Sequence, residues 1–358
     1  MRKKYLDNMR WMTLVMVVFY HVLYMYNAEG IYGGLGKITN LNVQIYDLIL
    51  YVLYPVPMGI LFLVAGMSSK YYLDKHSESS FIKARTIKLL VPSTIAVLCF
   101  WFIQGYLNMV IVGNVGDLQG LSAFERYILL VLNGIGVLWF LHVLWLYSML
   151  LIIVRKIERF KLWELCKKAN VIVLVLLTFV IFAFAQICNS SMLPNYKMGL
   201  YFAYYFIGYF VFSHEEVLEK IKKNYILFII VAVISDVIFC VKYWGTDLFL
   251  AGLNTTLLYN ICAWFISLAF FGIMLRIGDF ETPLTVWISK RSYGLYIFHY
   301  LFISLIAVFL GMPGKVPAVV VYILSFIGGF GGGFLMDIVV SKIPVLRLIF
   351  LGIVAKKK

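Results

Sequence analysis

Arg10 and His21 stand eleven residues apart in the stretch Tyr5-Leu-Asp-Asn-Met-Arg-Trp-Met-Thr-Leu-Val-Met-Val-Val-Phe-Tyr-His21. On a helix, eleven residues overshoot three full turns by only about 20°, so both side chains share one face, roughly 16 Å apart along the axis. Arginine keeps its charge and can grip an anionic donor, whereas histidine titrates near neutrality and can take a proton at depth. The same spacing also suits a blander pair, an interfacial anchor followed by a hydrogen-bonded packing residue. Asp7, one turn before Arg10, is placed to pair with its guanidinium. Other ionisable groups in apolar surroundings are His142 and His299, with Asp47, Asp236 and Asp337 nearer the ends of apolar runs. Each costs a few kcal/mol at membrane depth and so needs a partner or a task. Lys83, Arg85 and Lys88 form a basic cluster at the start of another run, where helix-dipole geometry favours phosphates and where topology alone would also place positive charge. Trp139, Phe140 and Trp145 flank His142; an aromatic stripe of this kind is ordinarily packing, though His142 and Trp139 are candidates to line a cavity. His76 and His214 read as solvated loop residues. Cys99, Cys166, Cys188, Cys240 and Cys262 contain no CxxC pair, so neither a metal site nor a disulfide framework is expected.

The elements that must position these groups follow from composition. The 358 residues are 63% hydrophobic and 13% charged, with 31 Lys and Arg against 17 Asp and Glu, a net charge of +14. So apolar a chain has no broad polar face to offer a phosphate backbone, which excludes a nucleic-acid partner. Apolar runs of membrane-spanning length predict an all-α, polytopic membrane bundle with ten helices, near 9–27, 44–66, 88–111, 134–154, 170–188, 198–213, 225–243, 254–275, 292–310 and 317–338. With the N-terminus inside, 26 of the 31 positive residues face the cytoplasm, and only Lys37, Arg126, Lys197, Lys242 and Lys315 fall outside. Both termini are therefore expected in the cytoplasm. The first run follows a basic start but has no small-residue cleavage site, and is read as a retained helix. No polar stretch is long enough to bury a separate core, which leaves a single membrane domain over 1–338 and a basic cytoplasmic tail over 339–358. Gly328-Gly-Phe-Gly-Gly-Gly333 in the last run points to close helix packing in preference to a break.

The opening segment resembles that of the membrane-bound acyltransferase 3 family, whose first helix carries an Arg, ten residues, then a His. Further stretches are similar in the same order: Leu61-Phe-Leu-Val-Ala-Gly-Met-Ser68, Phe81-Ile-Lys-Ala-Arg-Thr-Ile-Lys-Leu-Leu-Val-Pro92, Leu138-Trp-Phe-Leu141 and Ser292-Tyr-Gly-Leu-Tyr-Ile-Phe-His299. The resemblance implies transfer of an acyl group, usually acetyl, from cytoplasmic acyl-CoA to a hydroxyl of a glycan or lipid-linked acceptor of the cell envelope. It implies a multi-pass protein of a bacterial cytoplasmic membrane, surrounded by membrane lipids. It places His21 and Arg10 on the family's essential pair and Arg85 and Lys88 on its basic motif, commonly Arg-x-x-Arg. Lys88 departs from that motif and lacks the two-pronged grip of arginine. His299, within the late motif, is expected to orient a partner or to line the acceptor side. Two routes stay open, direct attack of the acceptor with His21 as base, or an acyl-histidine intermediate. The competing reading is a transporter or flippase of a lipid-linked or glycan substrate, which shares the bundle but needs no acyl-CoA.

Overall fold

The computed structural model describes residues 3–29, 33–39, 47–188, 197–249 and 251–354, and among them every regular element is helical. The first helix, α1 (Lys4–Met25), is followed by α2 (Asp47–Leu73), which is interrupted at Tyr54–Val56 just before Pro57, where proline starts a new helical segment. Next come α3 (Glu78–Val112), α4 (Ala123–Gly134), α5 (Gly136–Glu158), α6 (Lys161–Cys166) and α7 (Val171–Ala185). The second half comprises α8 (Met198–Phe210), α9 (Glu215–Lys223), α10 (Tyr225–Tyr243), α11 (Leu257–Ile277), α12 (Pro283–Gly311), α13 (Ala318–Lys342) and α14 (Pro344–Leu351).

Seven of these helices, α2, α3, α5, α10, α11, α12 and α13, are long and apolar enough to cross a membrane, where the sequence led us to expect ten. Three expected spans make up the difference. The run at 9–27 forms α1, but Asp7, Arg10 and His21 dilute its apolar character. The runs at 170–188 and 198–213 shrink to α7, of 15 residues, and α8, of 13 residues. At 1.5 Å per residue both fall well short of a hydrocarbon core about 30 Å thick. The chain is a multi-pass membrane protein by its seven long apolar helices. Their outward faces suit lipid: on α10, Ile226, Ile230, Val233, Val237 and Val241 are all exposed.

Local sequence explains many helix ends. Ser122 and Glu125 form a capping box at α4, with Glu125 N–H donating to Ser122 Oγ at 3.3 Å and Ser122 N–H to Glu125 Oε2 at 2.8 Å. Asn170 caps α7 and Thr256 caps α11. Gly113, at φ 81°, closes α3 in the left-handed region that glycine enters freely. Within α3 and α12 the helix widens into π turns at Thr86–Leu90, Val97–Trp101 and Ala307–Gly311, a distortion often found at functional sites.

The chain divides into two compact units. The first comprises Met1–Thr13, Tyr51–Ala84 and Val143–Ser289; the second comprises Leu14–Leu50, Arg85–His142 and Lys290–Lys358. In the first, α2 and α8 meet backbone to backbone: a Cβ on Gly66 would lie 2.0 Å from the Tyr205 carbonyl oxygen, and one on Gly208 2.2 Å from that of Leu63. His214 also belongs to this unit and corrects the expectation of a solvated loop residue, being only 3% exposed. Its ring packs on Trp163 with centroids 4.1 Å apart, and Nε2–H donates to the Trp163 carbonyl at 2.9 Å. Burial holds its pKa below the ordinary histidine value, partly offset by that carbonyl. In the second unit, α13 runs unbroken through its glycines, and a Cβ on Gly332 would strike the Phe302 ring at 2.3 Å. The glycine run therefore serves close packing of α12 on α13.

Candidate active site

In the second unit, His21 Nδ1 and His299 Nε2 are 2.8 Å apart, with the rings nearly stacked at 5.0 Å. His299 Nδ1 lies 3.1 Å from the Leu295 carbonyl oxygen, one turn back on α12. A carbonyl only accepts, so Nδ1 of His299 carries the proton. In a neutral His299 ring, Nε2 is then the acceptor, and His21 donates to it from Nδ1. The lone pair of His21 is left on Nε2, the atom a proton-abstracting or nucleophilic imidazole uses. Tyr300 packs edge-on against His21, with centroids 5.3 Å apart, and Tyr20 does the same at 5.4 Å.

The late motif around His299 makes contacts in or beside three of the stretches singled out in the sequence, and the residues in contact all lie in this unit. Tyr293 OH donates to the Lys88 carbonyl and Tyr296 OH to the Val137 carbonyl, while His299 meets His21. Tyr296 also packs edge-on against Phe140 at 5.8 Å. Gly294 has a separate purpose: a Cβ there would lie 2.1 Å from Asp337 Oδ1, and only its absence admits the ion pair between Arg291 Nη1 and Asp337 Oδ2 at 2.9 Å. The buried carboxylate thus has its counter-charge. Asp47 accepts from Asn27 Nδ2 at 3.1 Å within the same unit. In the first unit, Asp236 accepts the Cys262 thiol proton at 3.3 Å. These contacts give the acids near the span ends structural partners.

Arg10 belongs to the first unit. Its Nη1 donates to Asp7 Oδ1 at 2.7 Å, as the spacing suggested, and its Nη2 donates to Ser68 Oγ, the last residue of the Leu61–Ser68 stretch. Lys83 is exposed, whereas Arg85 and Lys88, three residues apart on α3, are half-buried. Lys88 is the most constrained of the three: Nζ donates to the Leu351 carbonyl at 2.9 Å and lies 4.0 Å from the centre of the Tyr293 ring. It sits inside a π turn, so the second basic residue of the motif clamps α14 and α12 and has part of its donor capacity already in use. Arg85 and Lys83 lie nearer the start of α3. Trp139 is buried in the first turn of α5, and His142 meets the backbone of Ser93 on α3.

Reading the sequence missed a polar seam close to the histidine pair. Gln104 Nε2 donates to Asn108 Oδ1 at 2.8 Å and to Ser304 Oγ at 2.9 Å, and Asn108 Nδ2 donates to the Asn133 carbonyl at 2.7 Å. Tyr300 OH, whose ring touches His21, donates to the Gly33 carbonyl at 3.3 Å, and a Cβ on Gly33 would lie 2.4 Å from Asn108 Oδ1. Gln104 Oε1 is buried without a hydrogen-bond partner. The signal was present: two amide side chains four residues apart on one face of an apolar span. Among the described residues, no three His, Cys, Asp or Glu side chains group as metal ligands.

A family model described as an acyltransferase domain matches residues 3–338 of the chain. No curated protein and no solved structure matches it.

Proposed function

Since the chain belongs to the acyltransferase 3 family and is a multi-pass membrane protein, we propose that it is an O-acyltransferase using acyl-CoA, with acetyl as the acyl group and an envelope glycan or lipid-linked hydroxyl as acceptor. The observation that carries this reading is the His21–His299 pair, which leaves Nε2 of His21 with a lone pair. In the proposed step, Nε2 takes the hydroxyl proton of the acceptor as its oxygen attacks the thioester carbonyl carbon. The carbon–sulfur bond breaks, the ester forms, and the proton passes from His21 to the departing CoA thiolate. His299 acts as a positioning residue, as an orienting partner does for a catalytic histidine elsewhere. The seam of Gln104, Asn108 and Tyr300 supplies polar groups suited to a hydroxylated acceptor, and the unpartnered Oε1 of Gln104 can accept one hydroxyl.

Arg10, held by Asp7 and Ser68, precedes His21 on α1 and is assigned to the anionic donor together with Lys83 and Arg85. Lys88 contributes by holding the π turn that follows Arg85. The orientation read from the positive residues would bring acyl-CoA from the cytoplasm. The direct test uses purified full-length protein in lipid bilayers, with labelled acetyl-CoA and envelope glycan fractions. His21→Ala is expected to abolish acyl transfer while the chain still inserts; wild-type turnover in that variant would remove His21 from the chemistry. A transporter would move its substrate without consuming acetyl-CoA, so labelled product bound to the acceptor separates the two readings.

A further inference from the structure

The first unit holds a charged pocket that the proposed reaction does not use. Its volume is about 520 Å³ and it is lined by Glu219, Lys220, Lys222, Lys223 and Arg276, four cations against one carboxylate. Its walls follow from the sequence. In α9 the apolar Val217, Leu218 and Ile221 are buried while the last turn carries the three lysines. The chain then turns at Asn224 into α10, and Arg276 arrives from the last turn of α11. Gly272 makes that arrival possible: a Cβ there would lie 2.5 Å from Tyr225 Cβ and 3.3 Å from the Ile221 carbonyl oxygen. One turn on from Gly272, the Arg276 guanidinium lies 4.5 Å from the centre of the Tyr225 ring, a cation–π contact at the pocket wall. Lys220 is anchored by a 2.7 Å hydrogen bond to the Ala169 carbonyl, which uses one of its three N–H donors. Lys222 is 3.8 Å from Glu219, too far for a hydrogen bond, so the carboxylate does not satisfy it.

We propose that this pocket holds the phosphate headgroup of an anionic phospholipid from the surrounding leaflet. The shared chemistry is phosphate, which a soluble nucleotide could also supply. The neighbouring surface favours a lipid: immediately along α10 from the lysines, Ile226, Leu227 and Ile230 are exposed, and so is Ile277 beside Arg276. A headgroup in the pocket would have its acyl chains against this apolar surface, an arrangement of no use to a soluble anion. Basic clusters at helix ends near an anionic leaflet bind such headgroups by this combination of charge and adjacent apolar surface.

The test is native mass spectrometry of the full-length protein released from bilayers of equal phosphatidylglycerol and phosphatidylcholine. Retention of phosphatidylglycerol over phosphatidylcholine is expected, falling about tenfold or more in the double variant Lys222→Gln/Arg276→Gln and restored in part by Arg276→Lys. An unfolding midpoint matching wild type shows that the variant is folded; if it is not, the single variant Lys223→Gln, at the exposed pocket edge, is read instead. Equal retention of the two lipids by the wild type, or unchanged preference in the folded variants, overturns the proposal. Displacement of bound phosphatidylglycerol by added CoA, with a raised KM for acyl-CoA in the variants, overturns it in favour of a donor phosphate site. Lipid retention needs no turnover, so this result stands or falls separately from the acyltransferase reading.

Discussion

Residue type and depth single out His21, and the structure adds the contact that sets its tautomer. Nothing in the spacing of 278 positions could reveal that His299 Nε2 faces His21 Nδ1. The late motif made His299 a candidate for orientation, and its hydrogen bond to the Leu295 carbonyl is the detail that decides which nitrogen of each ring carries a proton. His299→Ala would free the His21 ring to turn and to exchange tautomers. We expect kcat to fall on the order of 10²-fold with KM for acyl-CoA unchanged, and the acid limb of the pH–rate profile to move. A purely structural His299 would instead lower the amount of folded protein and leave the profile of the remainder in place. Lys88 gains a second task from the structure: its type and position suit a phosphate, and its donor group also meets the Leu351 carbonyl and the Tyr293 ring. The direction of a flexible side chain depends on neighbours far away in sequence, which its own segment does not encode.

At the scale of elements, small residues mark where helices touch. Gly66 lies in the stretch that supplies Ser68 to Arg10, and α2 and α8 approach so closely there that a methyl group meets the Tyr205 carbonyl. Gly66→Ala is expected to destabilise the protein by about 1–3 kcal/mol, the range for overpacking a close contact. It should also lower acyl transfer through displacement of Ser68; chemical unfolding in detergent and an acetyl-transfer assay check the two effects separately. The turn between α8 and α9 carries a pH dependence. His214 is buried with its pKa below the ordinary value of 6.5, so the folded state resists protonation that the unfolded chain accepts. Its contribution to stability is present in full above about pH 6.5 and declines as pH falls through that value toward the depressed one. Thermal unfolding of His214→Phe beside the wild type, at neutral and mildly acidic pH, should show a smaller loss on acidification in the variant.

For the molecule as a whole, the arrangement of positive residues is the strongest statement about orientation. In a chain stripped of its five cysteines, single cysteines at Lys37 and Lys315 should react with a membrane-impermeant reagent from outside, and cysteines at Lys75 and Lys167 only after the membrane is opened. Reaction of the second pair in intact cells would invert the topology. The runs at 170–188 and 198–213 have the composition of spans, yet their helices stop at 15 and 13 residues, and α1 carries ionisable groups that dilute its apolar stretch. Composition reports how apolar a segment is; helix length depends on where turns and neighbouring elements stop it.

The sequence by itself determined that the protein is an all-α membrane bundle, which candidate residues are expensive enough to need a task, and, through five ordered motifs, which family it belongs to. These are properties of composition and local order, which survive without coordinates. Tertiary structure alone decided that the late motif reaches the Lys88, Val137 and His21 segments at once, that Gly294 makes room for Asp337, and that Gln104, Asn108 and Tyr300 line up beside the histidines. Such contacts join residues tens to hundreds of positions apart, and their geometry is set by how helix faces interlock.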